Sequence, residues 1–151
     1  MRVGCSVAQG LGYGLKVPII PISSLRILAQ QAINDLDAKK VIVINDAHME
    51  ELYVGEYKCS KNIAVNLKPD YSIHRVEINE LVNSFPEDFT FIGNAMHFIE
   101  KDLQKKIIYD FTPKANFSFN IADDLILNQK FVPAEQVTIN YLSGESQWKR
   151  V

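Results

Sequence analysis

Three polar residues, Asp46, Glu80 and Asn94, stand where a two-metal phosphodiesterase would need ligands: on a first strand, on the helix after it and on a later strand. Such enzymes clamp a scissile phosphate between two divalent ions held by carboxylates. Hard cations want charged oxygen ligands, and Asn94 is neutral, so the set is one carboxylate short. Asp46 has a second use, as a turn residue that bonds nearby backbone. His48, His74 and His97 are scattered and lack the i, i+4 spacing of a helical zinc pair. His97 and Glu100 lie three apart on an expected helix, which suits a surface pair and supplies no further metal ligand. Cys5 and Cys59 have no metal-type spacing and no evident histidine partner, so peptidase chemistry finds no nucleophile–base pair. A phosphate-cradling turn would need backbone donors facing the anion. The turn Asp46-Ala47-His48-Met49-Glu50-Glu51 offers no glycine and adds the charges of Glu50 and Glu51. Residue chemistry alone assigns no catalytic, metal or cofactor site.

Composition narrows the classes further. The 151 residues carry 16 basic and 18 acidic side chains, a formal net charge of −2, with no block of like charge. That balance gives no electrostatic footprint for autonomous nucleic-acid binding. Two isolated cysteines in a chain of this size fit a reducing, cytoplasmic setting. The first residues lack a signal pattern, and no apolar run reaches the roughly 18 residues that span a bilayer, so no membrane partner is expected.

The elements that must position these groups follow from periodicity. Residues 2–15 read as a helix ending near Gly12 and Gly14, and Val17 to Ile22 as an extended edge segment whose Pro18 and Pro21 remove ladder donors. Ser23 or Ser24 caps a second helix, with Leu25, Leu28, Ala29, Ala32, Ile33 and Leu36 in helical series. Val41–Ile44 is a short all-apolar run typical of a buried strand, and Leu52 to Lys58 is its hairpin partner across the turn Asn45 to Glu51. Extended chain at Ile63–Leu67 and Tyr71–Val76 flanks Lys68-Pro69-Asp70. A helix Ile78 to Phe85, a strand Phe89–Ile92, a helix His97 to Lys105, a strand Ile107–Tyr109 and a helix Asn116 to Lys130 complete the series. From residue 41 the order is three strands, helix, strand, helix, strand, helix. Sequential strands make an antiparallel meander, and the later alternation demands parallel crossovers. The sum is a ribonuclease-H-like α/β arrangement, a mixed sheet flanked by helices.

Two such lobes in tandem make the actin-like (ASKHA) fold, and within it the chain resembles the bacterial TsaB family, also called YeaZ. The match is carried by Arg2-Val3-Gly4, Ala8-Gln9-Gly10-Leu11 and Gly14-Leu15, then Pro18 and Ser23-Ser24-Leu25. It continues through Asp46-Ala47, Glu51-Leu52-Tyr53, Gly55 and Tyr57, then Gly93-Asn94-Ala95 and Tyr141-Leu142. Two departures stand out. The family's Gly-Pro-Gly-Ser-Phe-Thr-Gly loop, with all that precedes it, has no counterpart before Met1. In the hairpin turn, usually Asp-Ala-Arg-x-Gly-Glu, His48 replaces the arginine and Glu50 the glycine. The resemblance implies a truncated first lobe: residues 1–37 as its trailing helix–strand–helix, and residues 38–151 as the second lobe with a C-terminal tail. Without the first lobe's strands, the apolar side of helix 23–36 is expected to be uncovered, with self-association or partial disorder before residue 38.

The first helix is the feature that points to a partner. Gly4, Ala8 and Gly12 form one smooth face, and Val3, Val7, Leu11 and Leu15 an apolar ridge beside it. Each interior glycine costs about 1 kcal/mol relative to alanine, so packing against that face has to offset the loss. The face packs either on the chain's own sheet or in an intermolecular helix bundle. The resemblance favours the second, with Val3, Gly4, Val7, Ala8, Leu11 and Gly12 binding the partner. It implies a non-catalytic subunit, without a cofactor or metal of its own, that forms a homodimer or pairs with TsaD, the metal-bearing transferase. TsaE, an ATPase, would be the third member, and tRNA would be met only through the complex during threonylcarbamoyladenosine formation. An actin-like kinase, a metal-dependent nuclease and a folded remnant without function are the competing readings.

Overall fold

The structure, a computed structural model, describes residues 2–100, 102, 106–107, 111–140 and 142. Its frame is one sheet. Strands β1 (Lys40–His48), β2 (Glu51–Ser60), β3 (Ile63–Asn66), β4 (Tyr71–His74), β5 (Thr90–Ile92) and β6 (Lys106–Ile107) run in the spatial order β3-β2-β1-β5-β6. β2 is antiparallel to β1, whereas β1–β5 and β5–β6 are parallel. The third strand of the meander comes in two pieces. β3 pairs with residues 57–60 of β2 and β4 with residues 51–54, on either side of the Lys68-Pro69-Asp70 break. This is the ribonuclease-H-like topology that the order of elements predicts.

Residues Val41–Ile44 are apolar without alternation because the sheet is covered on both faces. Val41 and Val43 pack with α2 (Ser24–Leu36), while Ile42 and Ile44 pack with α3 (Ile78–Ser84) and the segment Phe89 to Ile99. The expectation that the apolar side of helix 23–36 lies uncovered is corrected here. Leu25, Leu28, Ala29, Ala32 and Ile33 are all buried against Val41, Val43, Tyr57 and Ala64. Burying each large aliphatic side chain contributes roughly 1.5–3 kcal/mol, enough to hold this helix on the sheet of residues 40–66.

Polar side chains of α2 close the sheet's outer edge. Gln30 Oε1 accepts the Ala64 N–H at 2.8 Å, and Gln30 Nε2 donates to the Asn62 carbonyl at 2.9 Å. Arg26 Nε donates to the Ala64 carbonyl at 2.8 Å and its guanidinium lies 3.7 Å from Asp124 of α4 (Ser118–Leu127). Both backbone groups of Ala64 are thus satisfied, and no bare strand edge is presented there. Ser23 caps α2 by accepting the Leu25 N–H at 3.3 Å, and Ser23 Oγ donates to Asp70 Oδ2 at 2.5 Å.

Several expected boundaries shift for local reasons. The helix expected over 97–105 is a single 3-10 turn, Met96–Phe98, after which Ile99 is extended. The Glu100 N–H donates to Asn79 Oδ1 at 3.1 Å, so a side chain from α3 takes the place of a helical carbonyl. Residues 101 and 103–105 of that expected helix, with 108–109 of the expected strand and Tyr141, lie outside the described residues. The last helix stops at Leu127 rather than Lys130. Gln129 adopts φ 54°, and the N–H groups of Gln129 and Lys130 fold back on Ile126 and Leu125, a Schellman closure built without glycine.

The first helix, α1, spans Arg2–Leu15 as expected, but its glycines do not form its cap. Lys16 takes the left-handed conformation at φ 57°, and the Val17 N–H bonds the Gly12 carbonyl at 3.0 Å. Residues 17–22 make one bridge, Ile19 to Val132, with N–O distances of 2.8 and 2.9 Å. The ladder cannot extend on that edge. The Val17 N–H is already used, and Pro21 has none.

Candidate functional site: the first helix and the ends of the parallel strands

α1 rests on the molecule along one narrow face. Gly12 is buried, and a Cβ there would meet Ile19 at 3.0 Å and Ala134 at 3.1 Å. Cys5, Ala8 and Gln9 continue this face half-buried, and Gln9 Nε2 donates to the Val137 carbonyl at 2.9 Å. Gly12 is small because residues 19 and 134 approach it. Gly4 is different: a Cβ there would meet no atom within 4 Å. The series Gly4, Ala8, Gly12 is therefore divided between an internal contact and an open end.

The ridge beside it faces outward. Val3 is 77 % exposed, Val7 55 %, Leu11 59 % and Leu15 68 %, with Tyr13 at 75 %. A contiguous exposed apolar strip of this kind marks an interaction surface more often than a solvated one. It offers shape and apolar area and carries no charged or nucleophilic group. Tyr13 also reaches a groove formed with Val17, Pro18, Phe131 and Pro133. Ile19, Ala134 and Val137 complete the helix's seat, and nothing in local periodicity signals the last two, since they come from a loop about 120 residues downstream.

The polar candidates converge only in part. β1 and β5 bring Asp46 and Asn94 together, but the link runs through backbone: the Asp46 N–H donates to Asn94 Oδ1 at 2.7 Å. The Asn94 N–H donates to Asn45 Oδ1 at 3.2 Å, and the Ala95 N–H to the Ile44 carbonyl at 3.3 Å. Asp46 Oδ1 accepts the His48 N–H at 2.9 Å, the turn role open to it from sequence. Glu80 is exposed on α3. His97 and Glu100 do not pair: His97 Nδ1 lies 3.0 Å from the Asn94 carbonyl, and Glu100 Oε1 accepts from Asn79 at 3.1 Å. Among the described residues no three His, Cys, Asp or Glu side chains form a group that could hold a metal ion.

The hairpin turn is strained rather than cradling. His48, Met49 and Glu50 take φ of 65°, 50° and 64°, three non-glycine residues in the left-handed region. Glu50 is steadied from the strand-end beside it. Its carbonyl accepts the Arg75 N–H at 2.7 Å, and its carboxylate lies 3.4 Å from the Arg75 guanidinium and 3.5 Å from His74 Nε2. Only Met49 and Glu50 fall outside the ladder, because β1 continues to His48 through a bulge after Asp46.

Two tyrosines, Tyr57 buried and Tyr71 half-buried, hold the broken third strand. Tyr57 Oη donates to Asp70 Oδ1 at 2.6 Å, and Asn66 Nδ2 reaches the same oxygen at 3.1 Å. Burial first, then the neighbouring Asp70 charge, pushes the Tyr57 hydroxyl far above its ordinary pKa. Tyr71 Oη donates to Glu56 Oε1 at 2.8 Å, and Lys68 Nζ sits 2.6 Å from that oxygen and 4.1 Å above the Tyr71 ring. Burial and the Glu56 hydrogen bond raise Tyr71 likewise. These networks join β2, the 68–70 loop and the cap of α2.

Among the described residues no helix is long and apolar enough to cross a membrane. Comparison with known proteins agrees with the topology. The family model described as TsaD, tRNA N6-adenosine threonylcarbamoyltransferase, matches residues 1–137. The chain is 28 % identical to the tRNA threonylcarbamoyladenosine biosynthesis protein TsaB of Haemophilus influenzae, covering 100 % of this chain and 67 % of that relative. It is 27 % identical to the Escherichia coli protein of the same name, covering 100 % and 68 %. The chain thus spans about two thirds of the length of these relatives. Two solved structures share the fold at 23 % identity. One, an uncharacterized protein from Pseudomonas aeruginosa with similarity to peptidase YeaZ, superposes at a TM-score of 0.82 over 94 % of this chain and 67 % of its own. The other, YeaZ from the same organism, superposes at 0.75 over 89 % and 64 %. With an actin-like, ribonuclease-H-like sheet and a family match across residues 1–137, the chain belongs to the family described as TsaD, tRNA N6-adenosine threonylcarbamoyltransferase, and within it to TsaB, also called YeaZ.

Proposed function

We propose that the chain acts in tRNA threonylcarbamoyladenosine biosynthesis as a non-catalytic subunit that holds TsaD in its working arrangement, with TsaE as the third member. In this reading it meets tRNA only through the complex. Its docking element is α1, through Val3, Gly4, Val7, Ala8 and Leu11, toward TsaD or toward a second copy in a homodimer; Gly12, expected on the same face, is instead seated on Ile19 and Ala134. Residues 1–37 are the remnant of the first lobe and 38–151 the second lobe with its C-terminal tail. The observation that carries this is the ridge Val3, Val7, Leu11 and Leu15, more than half exposed along its whole length. Leaving each of these side chains in water forfeits roughly 1.5–3 kcal/mol, which a partner's apolar surface recovers. The names and shared fold of the relatives supply the pathway.

The test is co-expression with a tagged TsaD. Wild-type chain should co-purify, and Val7→Glu with Leu11→Glu should abolish recovery while leaving the circular dichroism spectrum and melting temperature of the isolated chain within a few degrees. Undiminished recovery of the double variant would remove α1 from the interface.

A further inference from the structure

We draw no further inference here: the strongest candidate, the groove between the end of α1 and residues 131–135, lined by Tyr13, Val17, Pro18, Phe131 and Pro133, is an unpartnered apolar face, and nothing in the structure shows what covers it.

Discussion

Asn45 and Asn94 lock the ends of two parallel strands: the Asn94 N–H donates to Asn45 Oδ1, and Asn94 Oδ1 accepts from Asp46, the residue after Asn45. The position that a nuclease would give to a carboxylate is here spent on joining β1 to β5. Beside it, Gly93 at φ +127° passes so close to β1 that a Cβ would lie 2.1 Å from the Ile44 carbonyl oxygen. Gly93→Ala should therefore cost more than an ordinary surface change, at least about 2–3 kcal/mol. Asn45→Ala, which removes one acceptor, should cost about 1 kcal/mol. Urea denaturation of both variants orders them. An equal effect would show that backbone approach at Gly93 does not matter.

The two ends of α1 should answer mutation oppositely. Gly4→Ala adds a methyl into open space on a helix and should stabilise by about 0.5–1 kcal/mol through helix propensity. Gly12→Val drives its side chain into Ile19 and Ala134, at 3.0 and 3.1 Å from the first added atom, and should cost about 1–3 kcal/mol. Thermal melts of the two variants check this. A stabilising Gly12→Val would mean the helix is not seated on residues 19 and 134.

Glu50 stands at a glycine-favouring φ of 64°. Glu50→Gly relieves about 1 kcal/mol of left-handed strain and gives up an exposed ion pair with Arg75 worth about 0–1 kcal/mol, so the net change should be small and stabilising. Glu50→Ala loses the pair and keeps the strain, and should be the less stable of the two. Denaturation midpoints in low and high salt separate the terms, because salt weakens only the ion pair.

Alkaline pH should unfold the protein through Tyr57 and Tyr71. Both hydroxyls have folded pKa values raised above the ordinary value of 10.0, so the unfolded chain loses these protons first. Stability is then fully present below about pH 10 and falls as pH rises beyond it. Absorbance at 295 nm should show two tyrosines ionising only as the near-ultraviolet dichroism collapses. In Tyr57→Phe the late phase should shrink by one tyrosine. Free titration of all the tyrosines before unfolding would contradict the Asp70 and Glu56 networks.

Much of the fold is legible in the sequence. The apolar series of α2, the unbroken run Val41–Ile44 and the hairpin partner beyond it declare themselves, because side-chain period follows backbone geometry. So does the order of meander and crossover that leads to this sheet. Where a side chain far along the chain replaces a local partner, periodicity is silent. Asn79 ends the helix expected after His97, and Gln129 closes α4 where no glycine announces a stop.

The candidate site divides the same way. Sequence alone determined that α1 carries a small-residue series beside an apolar ridge. Only tertiary structure decided which side of the helix is spent internally, since Ile19 and residues 134–137 are brought beneath Gly12 by chain closure and leave Val3, Val7 and Leu11 outside. It likewise decided that α2 is buried, through Gln30, Arg26 and a sheet formed from residues up to 66. Burial is a property of pairs of surfaces, and a periodic pattern names just one member of each pair.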